Sequence, residues 1–251
     1  MSQRVDVDAH RGLQRGGAFT LIELLVVVAV IGILSSLLLP TLLHASKAAQ
    51  ASRCSSNLRQ ILMGMMTYAK QYQEQIVPLG NYTTMYPHFD WWPITIEPYL
   101  RDTGVYRCPA MAKAPIGYGQ NYRVIGGCSE VLSLFHYPQP LGLVRKPSMS
   151  FIFSDCGYVA NRDDPPDDWV QGVDPWTGTI DNGRGYCRFP LDVVDGEGYY
   201  ISYHTNPYRP LPRHPPNKTN CVFFDNHIES IPTWDLVDEE YGDPRCLYDN
   251  Q

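Results

Sequence analysis

The sequence predicts an α+β protein: a long kinked N-terminal helix, its first half suited to a membrane, its second half packed on a small antiparallel β-sheet head with extended loops. Three observations carry this. Residues 19–43 are apolar with one charged side chain, Glu23. Apolar residues then recur at helical spacing to about Tyr72. Between residues 78 and 251 stand 20 of the 21 prolines, which excludes long helices and leaves β-prone runs between turns.

The first element covers residues 19–43. A helix of this length is roughly 37 Å long at 1.5 Å per residue, enough for a hydrocarbon core of about 30 Å. Glu23 lies five residues into the run, near one interface. A lone acid kept in such a segment points to a function. Arg4, Arg11 and Arg15 precede the span, so that end is expected in the cytoplasm and the head outside. A secretory signal has an apolar core of only about 7–15 residues and a small-residue cleavage site after it. Here the run is longer and passes through Pro40 into a second helical pattern, SKAAQASRCSSNLRQIL. Proline removes an i to i−4 bond, so Pro40 is the expected kink.

The amphipathic continuation spans residues 44–75. Leu58, Ile61, Leu62, Met65, Ala69 and Tyr72 fall on one helical face, which is expected to pack on the head. Gly64 weakens the helix slightly. Pro78 and Gly80 close the segment.

The head, residues 76–251, reads as short strands. SFIFS at 150–154 and YYISY at 199–203 are β-prone. NCVFF at 220–224, Asp225-Asn226 and HIESI at 227–231 read as a hairpin about a tight turn, since Asp and Asn tolerate positive φ. Residues 161–185, rich in Asp, Pro, Gly and Trp, are expected to be an inserted surface loop.

Charge and cysteine usage narrow the function. From residue 151 onward 18 acidic side chains face 7 basic ones, a balance of −11; with −6 for the whole chain, residues 1–150 carry +5. An acidic head argues against nucleic acid as a partner, because phosphate binding needs a basic patch. The seven cysteines are Cys54, Cys108, Cys128, Cys156, Cys187, Cys221 and Cys246, with no C-x-x-C among them. Neither a thioredoxin-like redox motif nor a zinc ribbon is supported. The odd count leaves at least one thiol unpaired or intermolecular, and buried small apolar side chains account for about half of the seven.

The stretch Ala18, Phe19, Thr20, Leu21, Ile22, Glu23 resembles the N-terminal methylation motif of type IV prepilins and type II secretion pseudopilins. Counted from Phe19, Glu23 is fifth and Pro40 twenty-second, the places those residues hold in the family. The resemblance implies a leader, residues 1–18, removed by a prepilin peptidase between Ala18 and Phe19, with N-methylation of Phe19. The family usually has Gly before the cleaved bond, so cleavage between Gly17 and Ala18 is the second choice; it would make Glu23 sixth. The resemblance also implies that Glu23 pairs with a neighbouring subunit's N-terminal amine and sets helix register, with Pro40 in the same assembly helix. The C-terminal stretch RHPPNKTNCVFFDNHIES, within residues 213–231, is similar to the prepilin-type processing-associated motif of DUF1559 proteins, Arg-His, nine residues, Asp-Gly-His. Here ten residues separate Arg213-His214 from Asp225-Asn226-His227, and Asn226 stands for Gly.

His214, Asp225 and His227 raise the question of chemistry. They could ligate a metal or form a base with its orienting carboxylate. The structural alternative, Asp225 capping backbone amides with Arg213 and His214 bonded to it, is favoured. Two histidines and one carboxylate make an incomplete metal site, with no fourth ligand evident nearby in sequence. No cofactor is expected, with calcium or another divalent ion as the alternative. Asp163, Asp164, Asp167 and Asp168 read as a solvated acidic run; Trp91-Trp92 and Trp169 read as aromatic core or rim rather than a sugar platform. No catalytic fingerprint is present, so no enzyme is expected. The expected function is a pilin-like or pseudopilin structural subunit, held in the inner membrane with a periplasmic head. Its partners would be the prepilin peptidase, other pilin subunits and membrane lipid, in a pilus or pseudopilus linked to type II-like secretion. The alternative is an anchored periplasmic binding or enzymatic head that borrows the leader.

Overall fold

In a computed structural model of the chain, residues 20–78, 80–81, 90–111, 116–121, 140–161, 164–172, 186–187 and 208–237 are described. The leader and the processing residues Gly17, Ala18 and Phe19 lie outside them, as do the 199–203 run, Asp163, Cys128 and Cys246. The chain divides into two compact units, Met1–His44 and Ala45–Gln251.

One helix, α1 (Leu21–Gln71), carries the N-terminal pattern, with Pro40 inside it. From Leu21 to Leu43 its large apolar side chains are exposed, and the helix is long and apolar enough to cross a membrane. Within the second unit the helix buries one face: Cys54, Asn57, Leu58, Ile61, Leu62, Gly64, Met65, Tyr68 and Ala69. Each fully buried Leu, Ile or Met contributes roughly 1.5–3 kcal/mol. Five of the six side chains expected on this face are buried; Tyr72 is the exception, half exposed beyond the last helical residue and stacked on Tyr68 at 4.3 Å. The helix stops before Pro78. Gln73 and Glu74 take φ of 54° and 60°, and the Glu74 amide donates back to the Ala69 carbonyl at 2.8 Å. That five-residue return is the bond of a Schellman-type stop, made without glycine.

Short pieces follow: β1 (Gly80–Asn81) paired with β2 (Asp90–Trp91), then α2 (Trp92–Ile96). The main sheet holds β3 (Tyr118–Asn121), β4 (Phe151–Tyr158), β5 (Tyr186–Cys187), β6 (Tyr208–Pro210), β7 (Lys218–Phe223) and β8 (Ile228–Pro232). Its order is β5-β3-β4-β7-β8, with β6 also on β4. All pairings are antiparallel except β3 with β5. The 150–154 run is thus the start of an eight-residue central strand. The hairpin about Asp225-Asn226 forms as expected, with Asn226 at φ 73°.

The central strands β3, β4 and β7 are buried on both faces, which is why β4 shows no alternation of buried and exposed residues. Val222 and Phe224 join Phe153, Tyr118 and the α1 face in one core, while Cys221 and Phe223 join Phe151, Cys156, Trp169 and Leu236 in a second. Leu236 belongs to a final short helix, α3 (Thr233–Val237). The expected surface loop therefore contributes to the core: Trp169 is buried, its indole nitrogen donates to the Asp164 carbonyl, and the Arg209 guanidinium lies 5.0 Å above its ring. Gln171 forms an antiparallel bridge with Val159.

Candidate functional site

Three groups of residues concern function. The first is the start of α1. Thr20 precedes the first helical residue, and its backbone N–H and hydroxyl both donate to the Glu23 carboxylate, at 2.9 and 2.8 Å. The Glu23 amide donates back to the Thr20 hydroxyl at 3.2 Å. This reciprocal Thr-x-x-Glu arrangement is a capping box. Glu23 thus has a local task in the single chain: it satisfies an amide that the helix leaves open.

The second group is the C-terminal motif, which the fold separates. Asp225 and His227 form an exposed turn. The Asp225 carboxylate accepts from the His227 amide at 3.1 Å and lies 2.5 Å from its Nδ1, while the His227 ring stacks on Phe223 at 4.1 Å. Burial raises the Asp225 carboxyl, but the hydrogen bonds and charge of His227 together outweigh it and hold the group below its ordinary value. Its contribution is therefore present at neutral pH and lost as pH falls through that lowered value. Asp225→Ala is expected to cost no more than about 1 kcal/mol, because the lost bonds are exposed. A thermal melt at neutral pH checks this; a several-fold larger loss would contradict a purely local role.

His214 does not join that turn, nor does Arg213 bond to Asp225; the expected single cluster is corrected on both counts. His214 stands before the reverse turn Pro215-Pro216-Asn217. Its amide and carbonyl both bond Lys218, which fixes its backbone at the entry to β7. Its ring is buried and reaches into the core beside Asp155 of β4. Arg213 donates to the carbonyls of Gly117 and Cys156 and, at 2.9 Å, to Gln171 Oε1. It ties β3, β4 and the Gln171 segment together.

The third group emerges only from the fold. Cys54 on α1, Cys108, Asp155 and His214 are all buried, and one potential ligand atom of each lies within 4.8 Å of every other. Each position has a local cause. Cys54 continues the buried face of α1 one turn before Leu58. Cys108 follows a 3-10 turn, Thr103–Tyr106, whose start is capped by the Asp102 carboxylate on the Gly104 amide at 2.8 Å. Its approach to β3 requires Gly117, where a Cβ would stand 2.7 Å from the Cys108 Cβ and 2.9 Å from its backbone nitrogen. Asp155 lies two residues after Phe153 on β4, so a regular strand puts it on the same, helix-covered face.

The polar atoms here are incompletely satisfied by one another. Asp155 Oδ2 accepts from the Asn220 amide at 2.9 Å, but its Oδ1 and both ring nitrogens of His214 lack hydrogen-bond partners. His214 Nε2 lies 3.2 Å from Asp155 Oδ2 without the alignment of a hydrogen bond. Cys54 and Cys108 are thiols rather than a disulfide. A hydrogen bond from Cys54 pulls the Cys108 thiol down to about 6, assisted by His214 and Arg213 against burial. The same interaction, with burial, pushes Cys54 up. Burial lowers His214, but Asp155 and Cys108 outweigh it and raise the imidazole to about 9. The group is a converging set of two sulfurs, a carboxylate and an imidazole, held from four separate segments.

Sequence reasoning named His214 but not its three companions. The one local signal was the acid that ends the apolar run FIFSD, a charge where the strand is otherwise buried. Cys156 and Cys221, by contrast, are buried members of the second core, as expected of small apolar side chains. Trp92 is fully buried as well, which makes it core.

Residues 14–39 match the family model described as the prokaryotic N-terminal methylation motif. No curated protein and no solved structure matches the chain.

Proposed function

We propose that the chain is a pilin-like structural subunit, a pilin or pseudopilin. It is inserted in the inner membrane by the first half of α1, cleaved between Ala18 and Phe19 by a prepilin peptidase, and methylated on Phe19. It then assembles with other such subunits into a filament serving type II-like secretion. The observation that carries this is the methylation-motif match over residues 14–39, whose own helix exposes apolar side chains on all sides from Leu21 to Leu43. A helix apolar all round needs lipid or other helices around it. The acidic head, with its sheet covered by the second half of α1, is the part displayed outside the membrane. The C-terminal hairpin is compatible with kinship of the head with the prepilin-type processing-associated proteins, since Asn226, standing where that motif has Gly, takes a positive φ that glycine adopts readily.

The rival, an anchored head with its own catalysis, would place its chemistry at the Cys54–Cys108–Asp155–His214 group. A nucleophilic cysteine must meet its substrate, and Cys108 and Asp155 have no exposed surface. Burial of this kind favours a structural use.

Mass spectrometry of the mature N-terminus tests the proposal. The expected result is a chain beginning at N-methylated Phe19, with loss of processing when the motif at Ala18–Phe19 is disrupted. A mature terminus beyond the apolar run would mean ordinary secretion and would end the pilin reading.

A further inference from the structure

We infer that Cys54, Cys108, Asp155 and His214 form a structural site for a divalent transition ion, zinc by the chemistry of its ligands, that clips α1 to the sheet. The inference is independent of the filament reading, because metal content is measured on the chain whether or not it is processed or assembled.

The donor set carries the choice of ion. Two thiolates and an imidazole select zinc over calcium or magnesium, which take oxygen ligands. Four protein ligands with no exposed ligand surface describe a closed site, the structural kind, rather than a catalytic site with an open position. The distances agree. Nitrogen and oxygen ligands about 2.0–2.1 Å from a tetrahedral ion stand about 3.3–3.4 Å apart, and His214 Nε2 and Asp155 Oδ2 stand 3.2 Å apart, unaligned for a hydrogen bond. Two ligand atoms at this separation, paired by charge but unaligned for a hydrogen bond, have the spacing of neighbours on a common ion.

Charge agrees too. Binding releases whatever protons the two sulfurs and the ligating imidazole nitrogen carry. The resulting thiolates and the Asp155 carboxylate carry three negative charges, of which a divalent ion cancels two. The Arg213 guanidinium, whose field reaches Cys108, offsets the remaining one. The outer contacts are in place: the Asn220 amide on Asp155 Oδ2, and the Tyr118 hydroxyl, which accepts from Asn57 Nδ2 at 3.2 Å and bonds Cys54. Such second contacts orient ligands around a metal. The ligands come from residues 54, 108, 155 and 214, so the ion would close three long loops at once, where a clip constrains the unfolded chain most.

The test uses the full chain purified in detergent under reducing conditions. Elemental analysis is expected to find about one zinc per chain. After chelation, added Co²⁺ is expected to give thiolate-to-cobalt charge transfer in the near ultraviolet and the strong visible bands of a tetrahedral ion. Cys54→Ser and Cys108→Ser should each weaken Co²⁺ binding more than about 100-fold and lose charge-transfer intensity. Asp155→Asn keeps an acceptor for the Asn220 amide, so it is the variant best placed to fold; it should weaken binding while its sulfur bands persist at high Co²⁺. EDTA should lower the Tm of the parent by roughly 10 °C and leave the cysteine variants unmoved. Absence of both zinc and the cobalt bands from the reduced parent overturns the inference, whatever the variants do. Binding unchanged in both cysteine variants means an adventitious ion only and overturns it. So does a Cys54–Cys108 disulfide in protein isolated from its own cells, read by non-reducing peptide mapping.

Discussion

Glu23→Leu is expected to insert in the membrane as well as the parent and to fail in filament incorporation. Leucine makes the span more apolar, so insertion is retained. What is lost depends on two tasks the same carboxylate can perform. In the single chain it closes the capping box with Thr20. In a bundle of packed helices it would face the methylated, still positive N-terminus of a neighbouring Phe19. The second task has the larger effect, because an ammonium left unpaired among apolar helices is far costlier than an open amide at a helix end. Glu23→Gln separates them. Glutamine serves in a capping box as glutamate does but cannot neutralise an amine. Co-expression with the parent, followed by quantifying each in sheared filaments, is the measurement. Incorporation of both variants should fall at least about tenfold. If Glu23→Gln incorporates like the parent and Glu23→Leu does not, the capping box alone explains Glu23. If Glu23→Leu also incorporates normally, the pairing role is wrong.

Trp92→Ala is expected to be the most damaging single change in the described core. The side chain has no exposed surface; its ring meets Tyr106 edge-on at 5.8 Å and Phe153 at 4.7 Å, filling the space between α2, the 3-10 turn and β4. Truncating a buried tryptophan costs about 3–5 kcal/mol, transfer free energy plus the cavity left behind. A domain has only about 5–15 kcal/mol to lose. The Tm should fall by roughly 6–20 °C. Trp234→Ala, at a half-exposed residue of α3, is the control and should change stability by less than about 0.5 kcal/mol. Thermal melts followed by circular dichroism compare the two. Equal effects would mean that Trp92 does not hold the core.

Much of the architecture was legible because its signals are local. The span is a matter of apolar length, the buried face of α1 a matter of 3.6-residue spacing, and the hairpin a matter of two β-prone runs about Asp225-Asn226. Local rules also mark where they stop. Tyr72 keeps the spacing but lies beyond the helix, because Gln73 and Glu74 turn the chain at positive φ without a glycine to announce it. The segment around Trp169, rich in Asp and Pro, carries a surface-loop pattern although Trp169 itself reads as core or rim; its packing with Phe151, Cys156 and Phe223 decides for core.

The functional residues divide along the same line. The sequence by itself determined the N-terminal methylation motif and the membrane-suited helix; the Thr20–Glu23 box, though equally local, came from the structure. The sequence also determined that His214 is a candidate, but it paired His214 with the wrong acid. Asp225 is eleven positions away in the chain and belongs to the next turn. Asp155, 59 positions away, is the acid beside His214. Strand pairing decided this. β4 and β7 run antiparallel, Ser154 opposite Cys221, so Asp155 accepts from the Asn220 amide while the segment before β7 carries His214 inward. Cys54 reaches the same point because α1 covers that face of the sheet, and Cys108 because Gly117 has no side chain to hold it off. Four residues with no shared local pattern become neighbours through register and packing, and a one-dimensional spacing carries no trace of either.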